Sequence, residues 1–202
     1  MSTLESPCLV QTQRIHRLHL VIDDDWSLLQ RATHGDEAAW TALSIKYRPR
    51  LLGLAFTITR SRMAAEDVAQ ESFARLLIKP PRPSGDSLMP YLSTIAFRMA
   101  VRESKRQAGL VDLSEVEFHD PHCDPEAEMI NHERANAVAQ AIGILSEEHR
   151  TLLALRFQGE LSYEEIAGLL RLPLGTVKSR LFNAVMNCRK RLCQEGLIDT
   201  PR

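Results

Sequence analysis

Aromatic residues are scarce in this sequence, and so are glycine and proline. Aromatics make up 5% of 202 residues, with nine glycines and ten prolines. Sheets draw on aromatic and β-branched side chains, so this scarcity points to helices. Long apolar runs are missing too. A run such as LLGLAF (Leu51–Phe56) falls far short of the roughly 20 residues a membrane span needs, so no membrane insertion is expected. The first residues hold no apolar stretch behind a basic start, which argues against a secretory signal and for a cytoplasmic location. The four cysteines, Cys8, Cys123, Cys188 and Cys193, form no CxxC pair and are expected to be reduced thiols. There is no glycine-rich phosphate loop, no HExxH and no GxSxG, so neither an enzyme nor a cofactor is expected. A basic excess is also missing: 25 Lys and Arg stand against 26 Asp and Glu. A protein that binds DNA alone usually carries one, because phosphate neutralisation supplies most of its affinity. Any DNA contact here must use local basic patches or a partner's help.

What is present is strong segregation of charge. From Asp112 to Glu133 there are eight acidic residues and no Lys or Arg, with Pro121 and Pro125 among them. This reads as an extended or disordered linker. It sets the expected organisation: an N-terminal extension over 1–24, a helical domain over 25–109, an acidic flexible linker over 110–133, a second helical domain over 134–193, and a tail over 194–202. The fold class expected is all-α.

In the first block Trp40, Leu43, Tyr47, Leu51, Leu54 and Ile58 recur at the spacing of one helical face. Gly35 and Asp36 suggest a break and an N-cap, and Pro49 should kink or interrupt the helix. Val68, Phe73, Leu76 and Leu77 mark a second helix. The stretch PPRPSG (Pro80–Gly85) is a loop. Leu92, Ile95, Ala96, Met99 and Val101 mark a further helix with a basic far end.

The second block ends in LSYEEIAGLLRLPLGTVKSRL (Leu161–Leu181). Ser162 and Glu165 have the spacing of a capping box. Ile166, Ala167, Leu169 and Leu170 give a first helix its buried side, and Pro173 can start a second. In that second helix Val177, Leu181 and Val185 or Ala184 face inward, leaving Thr176, Lys178, Ser179, Arg180 and Asn183 outward. This is the layout of a helix-turn-helix, whose second helix enters the major groove. From Arg171 to Arg191 there are six basic residues and no acidic one. Arg180 could read a guanine edge, with Thr176, Lys178 and Ser179 on phosphates.

The segment LSYEEIAGLLRLPLGTVKSRLFNAV resembles region 4 of bacterial extracytoplasmic-function (ECF, group IV) sigma factors of the sigma-70 family. In the first block GDEAAWTAL (Gly35–Leu43), AAEDVAQESF (Ala64–Phe73) and YLSTIAFRMA (Tyr91–Ala100) resemble region 2 of the same proteins. The resemblance covers roughly residues 25–193. It implies two helical domains that recruit core RNA polymerase, open promoter DNA and initiate transcription of a signal-responsive gene set. It implies that Glu66, Asp67, Gln70 and Glu71 bind a coiled coil of the polymerase largest subunit. The −10 element would fall to the loop at about Lys79–Ser87 and the helix after it, with Lys79, Arg82, Arg98, Arg102, Lys105 and Arg106 as basic contacts. The −35 element would fall to Arg171, Thr176, Lys178, Ser179, Arg180 and Asn183, with region 4 also touching the polymerase β flap. An anti-sigma factor is an implied partner. Three positions depart from the family pattern: Tyr91 stands where Trp is usual, Arg98 where Asn is usual, and Arg171 where the turn usually has Gly.

Two other readings stay open on residues alone. A free-standing helix-turn-helix regulator explains residues 161–191 but leaves AAEDVAQESF without a purpose. A metal or redox sensor could use His119, His122 and Cys123, although zinc needs a fourth ligand and a rigid frame, and no metal site is expected. The acidic linker either threads the polymerase cleft, as the resemblance implies, or is a soluble spacer.

Overall fold

A computed structural model of the chain describes residues 24–108, 137–194 and 196–198. The architecture is all-α, with no strand among the described residues. Helix α1 (Asp25–Thr33) starts at Asp24, whose side chain accepts from the Ser27 amide, and it ends at His34. Gly35, at φ +90°, turns the chain into α2 (Glu37–Thr59). Asp36 caps α2 by accepting from the amides of Ala38 and Ala39 at 3.0 and 3.1 Å. The Ala39 amide first, and then Arg31, hold the Asp36 carboxyl below its ordinary value. The expected break and cap are therefore in place.

Helix α2 is the axis of the N-terminal half. Leu43, Tyr47, Leu51 and Leu54 lie fully buried along one stripe. They pack against α1, α3 (Arg62–Ile78) and α4 (Met89–Ala108). Trp40 meets Phe73 of α3 edge to face, with ring centroids 5.3 Å apart. Pro49 was expected to kink or interrupt this helix, and α2 continues through it without interruption. The reason is exposure. Pro49 and Ile45, whose carbonyl loses its i+4 donor, both lie on the outer face, where water can replace the missing bond.

In the C-terminal half, α5 (137–143) leads to α6 (Glu147–Leu153). Ser146 caps α6, and Glu147 and Glu148 complement the helix dipole in its first turn. Helix α6 then widens into a π turn over Ala154–Gln158. Helices α7 (Tyr163–Leu170) and α8 (Leu174–Gln194) form the helix-turn-helix. The capping box is complete: Glu165 N donates to Ser162 Oγ at 3.1 Å, and Ser162 N donates to Glu165 Oε2 at 2.8 Å. Of the two alternatives for the inner face of α8, Ala184 is buried and Val185 is exposed.

Among the described residues, three other than glycine adopt the left-handed conformation: Arg60, Glu160 and Arg171. Arg60 and Arg171 close the C-termini of α2 and α7, where a glycine would do so without a Cβ clash. Replacing Arg171 with glycine should therefore stabilise the protein by up to about 1 kcal/mol. For a chain of this size that is a rise in Tm of about 2–4 °C, measurable by calorimetry.

The buried side chains of the two halves form one continuous cluster. Helix α2 packs against both α6 and the π turn. The sequence suggested two helical domains joined by a linker; residues 24–108 and 137–194 lie in direct contact. The acidic segment 110–133, with His119, His122 and Cys123, lies outside the described residues.

Candidate nucleic-acid and polymerase interface

The loop between α3 and α4 is tied down from several sides. Tyr91 Oη donates to the Lys79 carbonyl at 3.0 Å at the start of the loop. Trp26 Nε1 donates to the Gly85 carbonyl at 2.8 Å near its tip. At its end the Leu88 amide points at Tyr47 Oη (3.2 Å) and Asp25 Oδ2 (3.4 Å). Asp25 is 2% exposed and also accepts from Tyr47 Oη and Lys46 Nζ. One buried carboxylate thus joins α1, α2 and the loop. Lys79 and Arg82 of the loop are exposed, as are Arg98, Arg102, Lys105 and Arg106 of α4. They form a basic edge running from the loop down α4. Arg106 is paired with Glu103 at 2.7 Å, and that bond leads the effects that lower the Glu103 carboxyl and raise the guanidinium.

On α3, Asp67, Gln70 and Glu71 are exposed and Glu66 is half-buried, all within about one and a half turns. Glu66 pairs with Arg62 at 3.2 Å and Glu71 with Arg75 at 2.8 Å. Asp67 and Gln70 lie between these pairs, on the side of α3 away from the core residues Val68 and Phe73.

In the helix-turn-helix the angular positions on α8 decide what each side chain can reach. At about 100° per residue, Gly175, Lys178, Ser179, Phe182 and Asn183 fall within an arc of about 140°. All five are exposed, and they line an open groove of about 690 Å³. Its other wall carries Tyr163 and Arg156, whose guanidinium sits 5.2 Å from the tyrosine ring centre. Phe182 is 65% exposed. The sequence reading places it on neither face; it stands four residues from Lys178 and three from Ser179, on the same face. Arg180 lies on the far side, at about 200° from Lys178. It borders the buried arc of Val177, Leu181 and Ala184, and it donates to Glu148 Oε2 of α6 at 2.8 Å. Thr176 is half-buried at the same edge, and its carbonyl accepts from Ser179 Oγ at 3.1 Å. Arg171 is exposed at the turn. Of the residues expected at the −35 element, Lys178, Ser179 and Asn183 share one groove, while Arg180 and Thr176 stand apart from it.

Two family models match this chain: Sigma-70 region 2 over residues 43–109, and Sigma-70, region 4 over residues 141–190. The RNA polymerase sigma-H factor of Pseudomonas aeruginosa is 34% identical over 181 residues, which is 82% of this chain and 92% of that protein. The ECF RNA polymerase sigma-E factor of Haemophilus influenzae is 32% identical over 177 residues, 79% of this chain and 90% of that protein. The chain belongs to the ECF sigma factors of the sigma-70 family.

This sigma factor is therefore a transcription initiation factor, which acts with core RNA polymerase at promoters. Two solved structures share its fold at a TM-score of 0.50. One is CnrH in complex with the cytosolic domain of CnrY, at 19% identity over 85% of this chain and 98% of that one. The other is the sigma factor RpoE of Bartonella quintana with the anti-sigma factor NepR, at 21% identity over 76% of this chain and 96% of that one. Among the described residues no group of His, Cys, Asp and Glu is placed to hold a metal, and no helix is long and apolar enough to cross a membrane. Cys188 donates to the Ala141 carbonyl at 3.7 Å, and burial pushes its thiol up.

Proposed function

We propose a division of labour among the exposed faces of this ECF sigma factor. Residues 25–109 form the unit that binds core polymerase and the −10 element, and residues 134–193 the unit that binds the −35 element. Asp67 and Gln70, flanked by Glu66 and Glu71, dock on the coiled coil of the polymerase largest subunit. The loop from Lys79 to Ser87 receives an unstacked base of the −10 element, and Arg82, Arg98, Arg102, Lys105 and Arg106 hold the adjoining phosphates. Binding an extruded base offsets the few kcal/mol of unstacking, so the strands can separate without ATP. Lys178, Ser179, Asn183 and Phe182 face the −35 duplex, with Arg171 on the backbone. Lys178 can reach acceptors on a guanine edge, and the Phe182 ring suits a thymine methyl group.

The observation that carries this reading is the groove on α8, where a cation, a hydroxyl, an amide and an aromatic ring share one exposed face. The protein acts in the cytoplasm, carries no catalytic site or cofactor of its own, and serves a signal-responsive set of genes. Its net charge of −1 is consistent with core polymerase supplying most of the nonspecific affinity for DNA. Region 4 also meets the β flap, and an anti-sigma factor controls access to these faces.

Transcription in vitro with purified core polymerase, with start sites mapped on a genomic library, tests the whole reading. Asp67→Ala should weaken association with core by about fivefold or more, on the order of 1 kcal/mol, and leave binding of the isolated −35 duplex unchanged. If pull-down shows equal core binding by Asp67→Ala and the parent, the docking face lies elsewhere.

A further inference from the structure

We propose that Trp26 is a positioning residue for the −10 element: it pins the tip of the α3–α4 loop, and the pin sets how sharply that loop tells one base from another. This rests on the −10 reading above and goes beyond it. Part of the specificity falls to a residue of α1, which precedes the stretch 43–109 that matches region 2.

Asp25 and Trp26 are neighbours in the first turn of α1, and both reach the loop. Trp26 Nε1 donates to the Gly85 carbonyl at 2.8 Å, and Asp25 Oδ2 accepts from the Leu88 amide at 3.4 Å. At the other end of the loop Tyr91 Oη donates to the Lys79 carbonyl at 3.0 Å. The Trp26 ring is half-buried and packs against the core, so the donor is fixed to the rigid body of the domain. Gly85 has φ +68°, a left-handed turn that glycine makes without strain. Trp26 therefore grips the loop at the residue where its backbone turns.

Between its pins the loop is stiff. Pro80, Pro81 and Pro83 each fix φ near −65°, which removes conformations that a chain of other residues would sample. Arg82, Pro83 and Ser84 are exposed, so this stiff run is the part of the loop that a strand meets. Held at Lys79 and at Gly85, it has one shape. Released at Gly85, it swings as a unit about Lys79 and Leu88, and the distance between its two sides is no longer set.

Specificity is a difference of affinities. A preorganised loop binds the right base with little ordering cost and does not reshape itself around a wrong one. A loosened loop is ordered at a cost by every base and adapts to each, so the right base loses more affinity than the wrong ones. The pin contributes little to the fold itself. Gly85 is exposed, and water can replace the donor at its carbonyl. Loss of the indole N–H should therefore show in base discrimination and not in melting.

The test uses the full chain with core polymerase, on a promoter found by start-site mapping and on its single-base −10 and −35 variants. Two changes remove the donor: Trp26→Phe, and benzothienylalanine at position 26, which keeps the shape of the indole without its N–H. Each should narrow the ratio of open-complex formation between the promoter and its −10 variants by about two- to tenfold, the worth of one hydrogen bond. The ratios for the −35 variants and the affinity for core should stay parental. Gly85→Ala strains the same turn in open space and should narrow the −10 ratios likewise. Combined with Trp26→Phe it should do little more than the stronger single change, since both release one tip. A nitroxide on a noncanonical residue at Ser84 should gain mobility in Trp26→Phe, with or without polymerase. Unchanged mobility overturns the pin. Raised mobility with parental −10 ratios overturns its part in specificity. Equal narrowing at −10 and −35 variants, or a lower melting temperature with the isosteric residue, reduces Trp26 to a support of its domain and overturns the proposal too. A parent that does not distinguish the −10 variants sinks the −10 reading, and mobility at Ser84 still decides the pin.

Discussion

Asp25→Ala destabilises the protein by about 1.5–3 kcal/mol, the range for losing hydrogen bonds to a buried charged acceptor. A larger loss of about 3–5 kcal/mol follows when a buried charge is left without its partner. That case does not apply, because the Lys46 side chain is 54% exposed and its ammonium can be hydrated. Nor are the other donors left bare. Tyr47 Oη still has Ser87 Oγ at 3.3 Å and the Leu88 amide at 3.2 Å. What disappears is the group that holds α1, α2 and the end of the loop in register. Urea denaturation measures the loss, and hydrogen exchange at the Leu88 amide locates it. The −10 function should fall with it, while binding of a −35 duplex is spared. A midpoint shift worth less than about 0.5 kcal/mol, the range of ordinary surface changes, means that Asp25 is no keystone.

The second large effect is expected on α8. Lys178→Ala should lower transcription from a −35-dependent promoter by about 5- to 150-fold, the equivalent of about 1–3 kcal/mol for a specific base contact. Arg180→Ala should cost less, although both residues are basic and only two positions apart. Arg180 is held by Glu148 at 2.8 Å on the opposite side of the helix from Lys178. It has to break that pair before it can reach a phosphate. Glu148→Ala should accordingly tighten duplex binding slightly, since it removes a nearby negative charge and frees a cation. Footprinting and abortive initiation on matched promoters rank the three variants. A greater loss for Arg180→Ala than for Lys178→Ala turns the reading face of α8 through about half a turn and removes the groove from the mechanism.

Much of this was legible in the chain. The stripe from Leu43 to Ile58 and the caps at Asp36 and Ser162 depend on neighbours within a few residues, and local periodicity and capping chemistry report such neighbours faithfully. The basic face of α8 was legible for the same reason. What a helical wheel does not report about that face is a distant partner. Arg180 looks outward on a helical wheel, yet Glu148, 32 residues away, claims it. The sequence reading assigns Phe182 to neither face, and packing shows that it lies beyond the buried arc.

The sequence by itself determined an all-α chain, two helical blocks, the helix-turn-helix and the family, because these follow from composition, spacing and motif. The tertiary structure alone decided three things. Asp25, which no sequence pattern singles out, is the buried tie of the loop. Glu160, in an ordinary-looking turn, reaches Arg50 across 110 positions of chain. The two blocks meet in direct contact and share one buried cluster. No periodicity records such contacts. Their free energy depends on which atoms come within 3 Å after folding, and residues far apart in the chain share no local pattern that announces it.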